Sequence, residues 1–166
     1  WIRPDVLGGN RVIFGSHWGG FDAWSLRISG ANLGIERLPG GLLSPNVAVT
    51  AGQWAAVAVS YDTANNAAFY INGVHVGTVA GTTPADLGRE AWSLGANSGD
   101  NFDGILDEVQ VSQTTRSSNW VWAAYQNTAS NSGFTCAGAL QGPGALRVLG
   151  TNGALIASGS SSVSEA

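Results

Sequence analysis

Phe102-Asp103-Gly104-Ile105-Leu106-Asp107-Glu108-Val109-Gln110-Val111 is the stretch whose reading decides the fold. Its residues alternate, which predicts a β-strand with two distinct faces. Ile105, Asp107, Val109 and Val111 fall on one face, and Leu106, Glu108 and Gln110 on the other. The first set is almost wholly apolar, so the expectation is that it meets the core. Asp107 is then a carboxylate among buried aliphatics. Such a charge is costly unless it is paired, hydrogen-bonded or bound to a cation.

The rest of the chain supplies neighbours for that strand. Arg11-Val12-Ile13-Phe14 reads as a strand and Gly15-Ser16-His17-Trp18-Gly19-Gly20 as the loop leaving it. Trp24-Ser25-Leu26-Arg27-Ile28 alternates, with Trp24, Leu26 and Ile28 on one face, and a short strand at residues 33–36 follows before a Pro-Gly-Gly loop. Trp54 to Tyr61 carries small or apolar residues on both faces, as a doubly covered strand does. Residues 67–71 and 74–79 flank Asn72-Gly73, which predicts a two-residue type I′ hairpin because both turn positions need φ > 0. Residues 91–95 read as a further strand with Trp92 in the core, and residues 97–100 as a polar turn. The one good helix candidate is Ser117 to Asn127, capped by Ser117 or Ser118, with Val121, Trp122 and Tyr125 on a packing face.

Many short strands, glycine-rich turns and one late helix predict an all-β fold, an antiparallel two-sheet sandwich with a short C-terminal helix. The 166 residues suffice for one such domain, and they hold 24 Gly, 7 Trp and only 11% charged residues. Cys136 is the single cysteine, so no internal disulfide is available and the thiol reads as inert. Seven arginines, no lysine and a net charge of −4 give no basic patch, which argues against a nucleic-acid partner. No apolar run approaches the roughly 20 residues needed to span a bilayer. The chain opens on Trp1 without a leader pattern, as a fragment or processed product would. From Thr128 the composition turns to Ser, Asn, Gly and Ala, predicting a linker over 128–144. Residues 145–149 and 154–157 then read as one more hairpin, the truncated start of a second β module over 145–166 with a poorly ordered end.

Gly52-Gln53-Trp54, the run from Val57 to Asp62, Tyr70-Ile71-Asn72-Gly73-Val74, Phe102-Asp103-Gly104, Leu106-Asp107-Glu108-Val109 and the helix reaching Tyr125 resemble, in that order, the motifs of laminin G-like, concanavalin A-like jelly rolls. The resemblance is to the secreted bacterial branch, and the tail resembles a β-sandwich repeat found beside anchoring signals in such proteins. It implies a jelly-roll domain over 1–127, an extracellular or cell-surface location, and neighbouring domains of a parent chain. It also implies strands preceding the Arg11 region, for which only ten residues remain, so this domain is expected to lack its first strands. Members often hold Ca²⁺ near the sandwich rim. By that resemblance Asp107, with Asp103 and Asp100 just upstream, is a candidate structural calcium set. The alternatives are a turn role for Asp103 and a satisfied structural carboxylate at Asp107.

Catalysis finds little support. Glycosidases use two carboxyl groups flanking the bond, and adjacent Asp107 and Glu108 project to opposite sides of a strand. Asp22, Glu36 or Glu90 would have to complete a pair from elsewhere. His17 and His75 lack a nucleophile elbow or acid partner pattern. The expectation is a non-catalytic module that binds a polysaccharide or glycoprotein glycan, with a structural spacer as the alternative and a hydrolase fragment behind it. The expected ligand platform is Trp18, Phe21 and Asp22, where aromatics lie between flexible glycines and can stack on sugar rings.

Overall fold

The computed structural model describes residues 1–18, 21–37, 41–80, 92–96, 99–129, 145–149 and 155–160, with the backbone alone at 17–18, 21–23, 145–149 and 155–160. In chain order the first unit holds β1 (Ile2–Pro4), β2 (Asn10–Trp18), β3 (Phe21–Ser29), β4 (Asn32–Arg37), β5 (Gly41–Leu43), β6 (Val57–Tyr61), β7 (Ala67–Ile71), β8 (Val74–Val79), β9 (Trp92–Leu94), β10 (Gly104–Leu106) and α1 (Ser118–Ala129). Contacts divide the chain into two compact units, Trp1–Ser130 and Asn131–Ala166. Within the second, β11 (Ala145–Leu149) and β12 (Leu155–Ser160) pair antiparallel.

All described strand pairs are antiparallel. One sheet runs β5-β4-β3-β2-β9, and a second runs β6-β7-β8. β1 pairs with β10, and an Ile2↔Ala55 bridge ties that pair to the chain entering β6. The layers share one core. Ile13, Ile28, Leu33 and Ile35 of the first sheet pack in a single cluster with Ala67 and Phe69 of the second, and with Ile2 and Ala55. This is the two-sheet sandwich that the alternation in the sequence predicts. Burial of such side chains contributes roughly 1.5–3 kcal/mol each before conformational entropy is subtracted.

The hairpin forms where expected. Asn72 and Gly73 take φ of 52° and 76°, both left-handed, and Ile71 faces Val74 across them. The helix also forms, two residues longer at its end than the spacing suggests. Ser117 caps it, its Oγ accepting from the Trp120 amide at 3.3 Å. Of its expected packing face Val121 is buried, Tyr125 is half-buried and Trp122 is exposed.

Three expectations need correction. β2 does not end at Phe14 but runs to Trp18. Gly15 is not a loop opener: it lies mid-strand, where an added Cβ would come within 2.8 Å of the Ser25 Cβ. Trp92 is 41% exposed rather than core, because β9 is an edge strand, and its ring lies flat on Phe14 at 4.6 Å.

The third correction concerns the decisive stretch. Only Gly104–Leu106 is strand, and its faces are the reverse of those expected. Leu106, opposite the buried Ile2, packs on the core, while Ile105, Val109 and Val111 are 43%, 45% and 74% exposed. Asp107 is exposed too, and its Oδ1 accepts the next amide, from Glu108, at 2.8 Å. The physical reason is local. Glu108 has a φ of 49°, a left-handed kink just past the strand end at Leu106, so the alternation across residues 105–111 is not that of one strand.

Among the described residues the buried charge is Arg27 instead. It is 1% exposed, its Nε donates to Ser25 Oγ at 2.9 Å, and its guanidinium pairs with Glu36 and, at 3.3 Å, with Asp100.

Two predictions test this architecture. At Gly104 (φ 147°) an added Cβ would meet the Arg3 carbonyl at 2.2 Å, so Gly104→Ala should cost more than about 1 kcal/mol. The loss should appear as a lower urea midpoint and faster hydrogen exchange of the Asp107 amide; unchanged exchange would count against the β1–β10 pairing. In the β6–β7 connection the Asp62 carboxylate accepts from the amides of Ala64 and Asn66 and from Asn66 Nδ2. The Asn66 amide above all holds its pKa below the ordinary 3.8. A depressed carboxylate contributes stability above its unfolded pKa and loses it as pH falls through the folded one. Asp62→Ala should therefore lower Tm at pH 6, and the deficit should shrink below pH 3.8; a deficit independent of pH would contradict the assignment.

Candidate functional site

The β1–β10 ladder continues one residue past β10. The Asp107 amide donates to the Trp1 carbonyl at 2.9 Å, and the Trp1 nitrogen donates to the Asp107 carbonyl at 2.8 Å. Trp1 is thereby fixed beside the turn that follows the closing strand.

On the other side of β1, Ile2 and Ala55 exchange backbone hydrogen bonds of 2.9 and 2.8 Å, which brings Trp54 to the same end of the sandwich. The hairpin tip is tied there as well. The Asn72 amide donates to the Ala56 carbonyl at 2.7 Å, and Asn72 Oδ1 accepts from the Ala56 amide at 2.9 Å. Asn at this position supplies both the left-handed turn and the side-chain acceptor.

Gly73 then receives the helix. A Cβ added to it would lie 3.0 Å from the Tyr125 Cβ and 3.2 Å from the Trp122 Cα, so only glycine lets α1 approach the turn this closely. Tyr125 is held over the turn and stacks on Trp1, with ring centroids 5.6 Å apart and planes 25° from parallel.

The result is an open groove of about 360 Å³ lined by Trp1, Trp54, Asn72, Asp107, Tyr125, Thr128 and Ala129. Trp54 leaves 43% of its surface exposed there. An exposed indole, a stacked indole–phenol pair and a rim of amide, carboxylate and hydroxyl provide apolar faces for C–H groups and acceptors for hydroxyls.

The structure distributes the expected site residues differently. Trp18 and Phe21 pair across a hairpin and Asp22 lies opposite His17, but the side chains of Trp18, Phe21 and Asp22 are outside the described residues, as are Gly19 and Gly20. The acidic set is not assembled for a hard cation. Asp100 is committed to Arg27, Asp107 Oδ1 to the Glu108 amide, and Asp103 is exposed with its carbonyl accepting from the Asp5 amide. Among the described residues no group of three or more His, Cys, Asp or Glu could hold a metal ion. Of the proposed site residues Asp107 alone lines the groove, with a role at its rim rather than in the core.

Trp1, Trp54 and Asn72 carried no functional signal in the sequence. Their convergence depends on the Ile2↔Ala55 bridge and the Ala56–Asn72 ties, which no local pattern announces. Tyr125 was read as packing, and it is half-buried in that sense while also forming a wall.

No described helix is long and apolar enough to cross a membrane. No functionally curated protein matches the sequence. Among solved structures, a candidate carbohydrate binding protein from Bacteroides ovatus superposes with a TM-score of 0.59 at 20% identity over 73% of this chain. This chain spans 38% of that protein's length. A domain of an S-layer domain-containing protein from Clostridium thermocellum matches loosely, with a TM-score of 0.39 at 17% identity, covering 75% of this chain and 66% of that one. The family model that matches, over residues 1–122, is the laminin G type of the concanavalin A-like lectin/glucanases superfamily. The order of strands, the shared core and that match agree: the chain belongs to the concanavalin A-like lectin/glucanase superfamily, in its laminin G-like branch.

Proposed function

We propose that the domain is a non-catalytic carbohydrate-binding module of a larger secreted or surface protein, and that the Trp1–Trp54–Tyr125 groove is where the glycan sits. The observation that carries this reading is the groove itself: three aromatic side chains and a polar rim around an open volume of about 360 Å³. Sugar rings are amphipathic, with apolar C–H faces and a periphery of hydroxyls, and such a lining complements both. The Bacteroides ovatus neighbour, a candidate carbohydrate binding protein, lends support at the level of fold.

The non-catalytic part rests on the acids. Hydrolysis of a glycosidic bond uses two carboxyl groups about 5–9.5 Å apart across the bond, and Asp107 is the one carboxylate in the groove lining. Glu36 and Asp100 do approach one another, yet both are spent on the buried Arg27.

Titration with soluble polysaccharides, followed by tryptophan fluorescence and calorimetry, tests the proposal. Saturable quenching is expected, with Trp54→Ala weakening affinity about tenfold, the equivalent of ~1.4 kcal/mol, at unchanged Tm. Absence of binding to any glycan would favour a structural spacer, and release of reducing ends would favour a hydrolase.

A further inference from the structure

Resting on that carbohydrate reading, we infer that the groove takes short oligosaccharides built of neutral or amino sugars and discriminates against uronic acids and other anionic glycans.

The argument begins from what the lining lacks. Lectin sites for acidic sugars neutralise the ligand's charge with Arg, Lys or His, and among the described residues none of these lines the groove. The chain has only seven basic residues, all arginine. Four of the described ones have partners elsewhere: Arg3 pairs with Asp5 at 3.2 Å, Arg11 donates to the Asn101 carbonyl at 3.5 Å, and Arg116 lies 4.5 Å over the Trp120 ring. Arg27 is buried with Glu36 and Asp100.

What the rim does hold is Asp107, followed directly by the exposed Glu108. A carboxylate only accepts hydrogen bonds, so it calls for donors: a sugar hydroxyl or the ammonium of an amino sugar. Asp107 Oδ1 takes the Glu108 amide at 2.8 Å, and no second donor to this carboxylate is seen among the described residues. The Trp1 nitrogen beside it already donates to the Asp107 carbonyl. A ligand carboxylate brought within about 5 Å of Asp107 is repelled, by enough to weaken binding roughly fourfold even at the permittivity of bulk water. The volume, about 360 Å³, is at the lower end of the roughly 300–1,000 Å³ range of small-ligand sites, which suits a short oligosaccharide.

The test uses the whole chain and sets of trisaccharides matched in linkage, α-1,4 and β-1,4, in three charge forms: neutral hexose, glucosamine and uronic acid. Calorimetry at low salt should show at least one neutral or glucosamine trimer binding, with its uronic counterpart about fourfold weaker or more. Asp107→Asn keeps an oxygen for the Glu108 amide while removing the charge, so it should narrow that gap, as should added NaCl. Tm of the variant checks that the fold is retained. Uronic trimers binding as tightly as their neutral counterparts, or a gap untouched by Asp107→Asn, would overturn the charge selection while leaving the carbohydrate reading in place. Failure of every trimer to bind would sink the reading and this inference together.

Discussion

The interaction on which this domain depends is a three-residue ladder. Ile2–Pro4 pairs with Gly104–Leu106, two segments about a hundred positions apart, and the reciprocal Trp1–Asp107 backbone bonds extend it. Everything at that end of the sandwich follows from it. Ile2 enters the core, Ala55 is drawn against Ile2, and Trp1 is delivered to the face of Tyr125. Such a short pairing gains little from its few hydrogen bonds, each worth about 0.5–1.5 kcal/mol net. Its strength comes from the burial of Ile2 and Leu106, which the register places on the same side.

Glycine sets how closely these parts approach. Gly104 brings β10 onto Arg3 and Pro4, where any side chain would strike backbone, and Gly73 brings the hairpin tip onto α1. Each is a contact of main chain with main chain or with an aromatic ring. Both positions have positive φ as well, so conformational freedom and lack of bulk are needed together. The Arg27 cluster works differently. It fixes β3, β4 and the turn before β10 relative to one another through charge, and a buried guanidinium without its acids would be costly.

Much of the fold was legible because its signals are local. Asn72-Gly73 specifies a turn from two residues, and the alternation Trp24-Leu26-Ile28 marks a core face that the structure keeps. The closing strand was legible as a strand but not as to its faces. Ile105, Val109 and Val111 suggest one apolar face with Asp107 inside it, but the strand ends at Leu106 and all three are exposed. The groove was not legible at all. Trp1, Trp54 and Tyr125 belong to three segments, and sequence carries no record of the register that joins them. Aromatics between glycines, as at Trp18, look like a platform locally. By contrast, the groove's aromatics are flanked by residues that suggest ordinary packing.

Because the groove is made of a first strand, a strand entrance and a late helix, whatever occupies it is in contact with all three at once. A molecule that recognises only the assembled arrangement adds its own binding free energy to the cohesion of those segments, growing as RT ln(1 + [L]/Kd). The occupant thus acts as a clasp. Under a pull that peels β1 away, any such occupant would resist the separation of the three segments it touches.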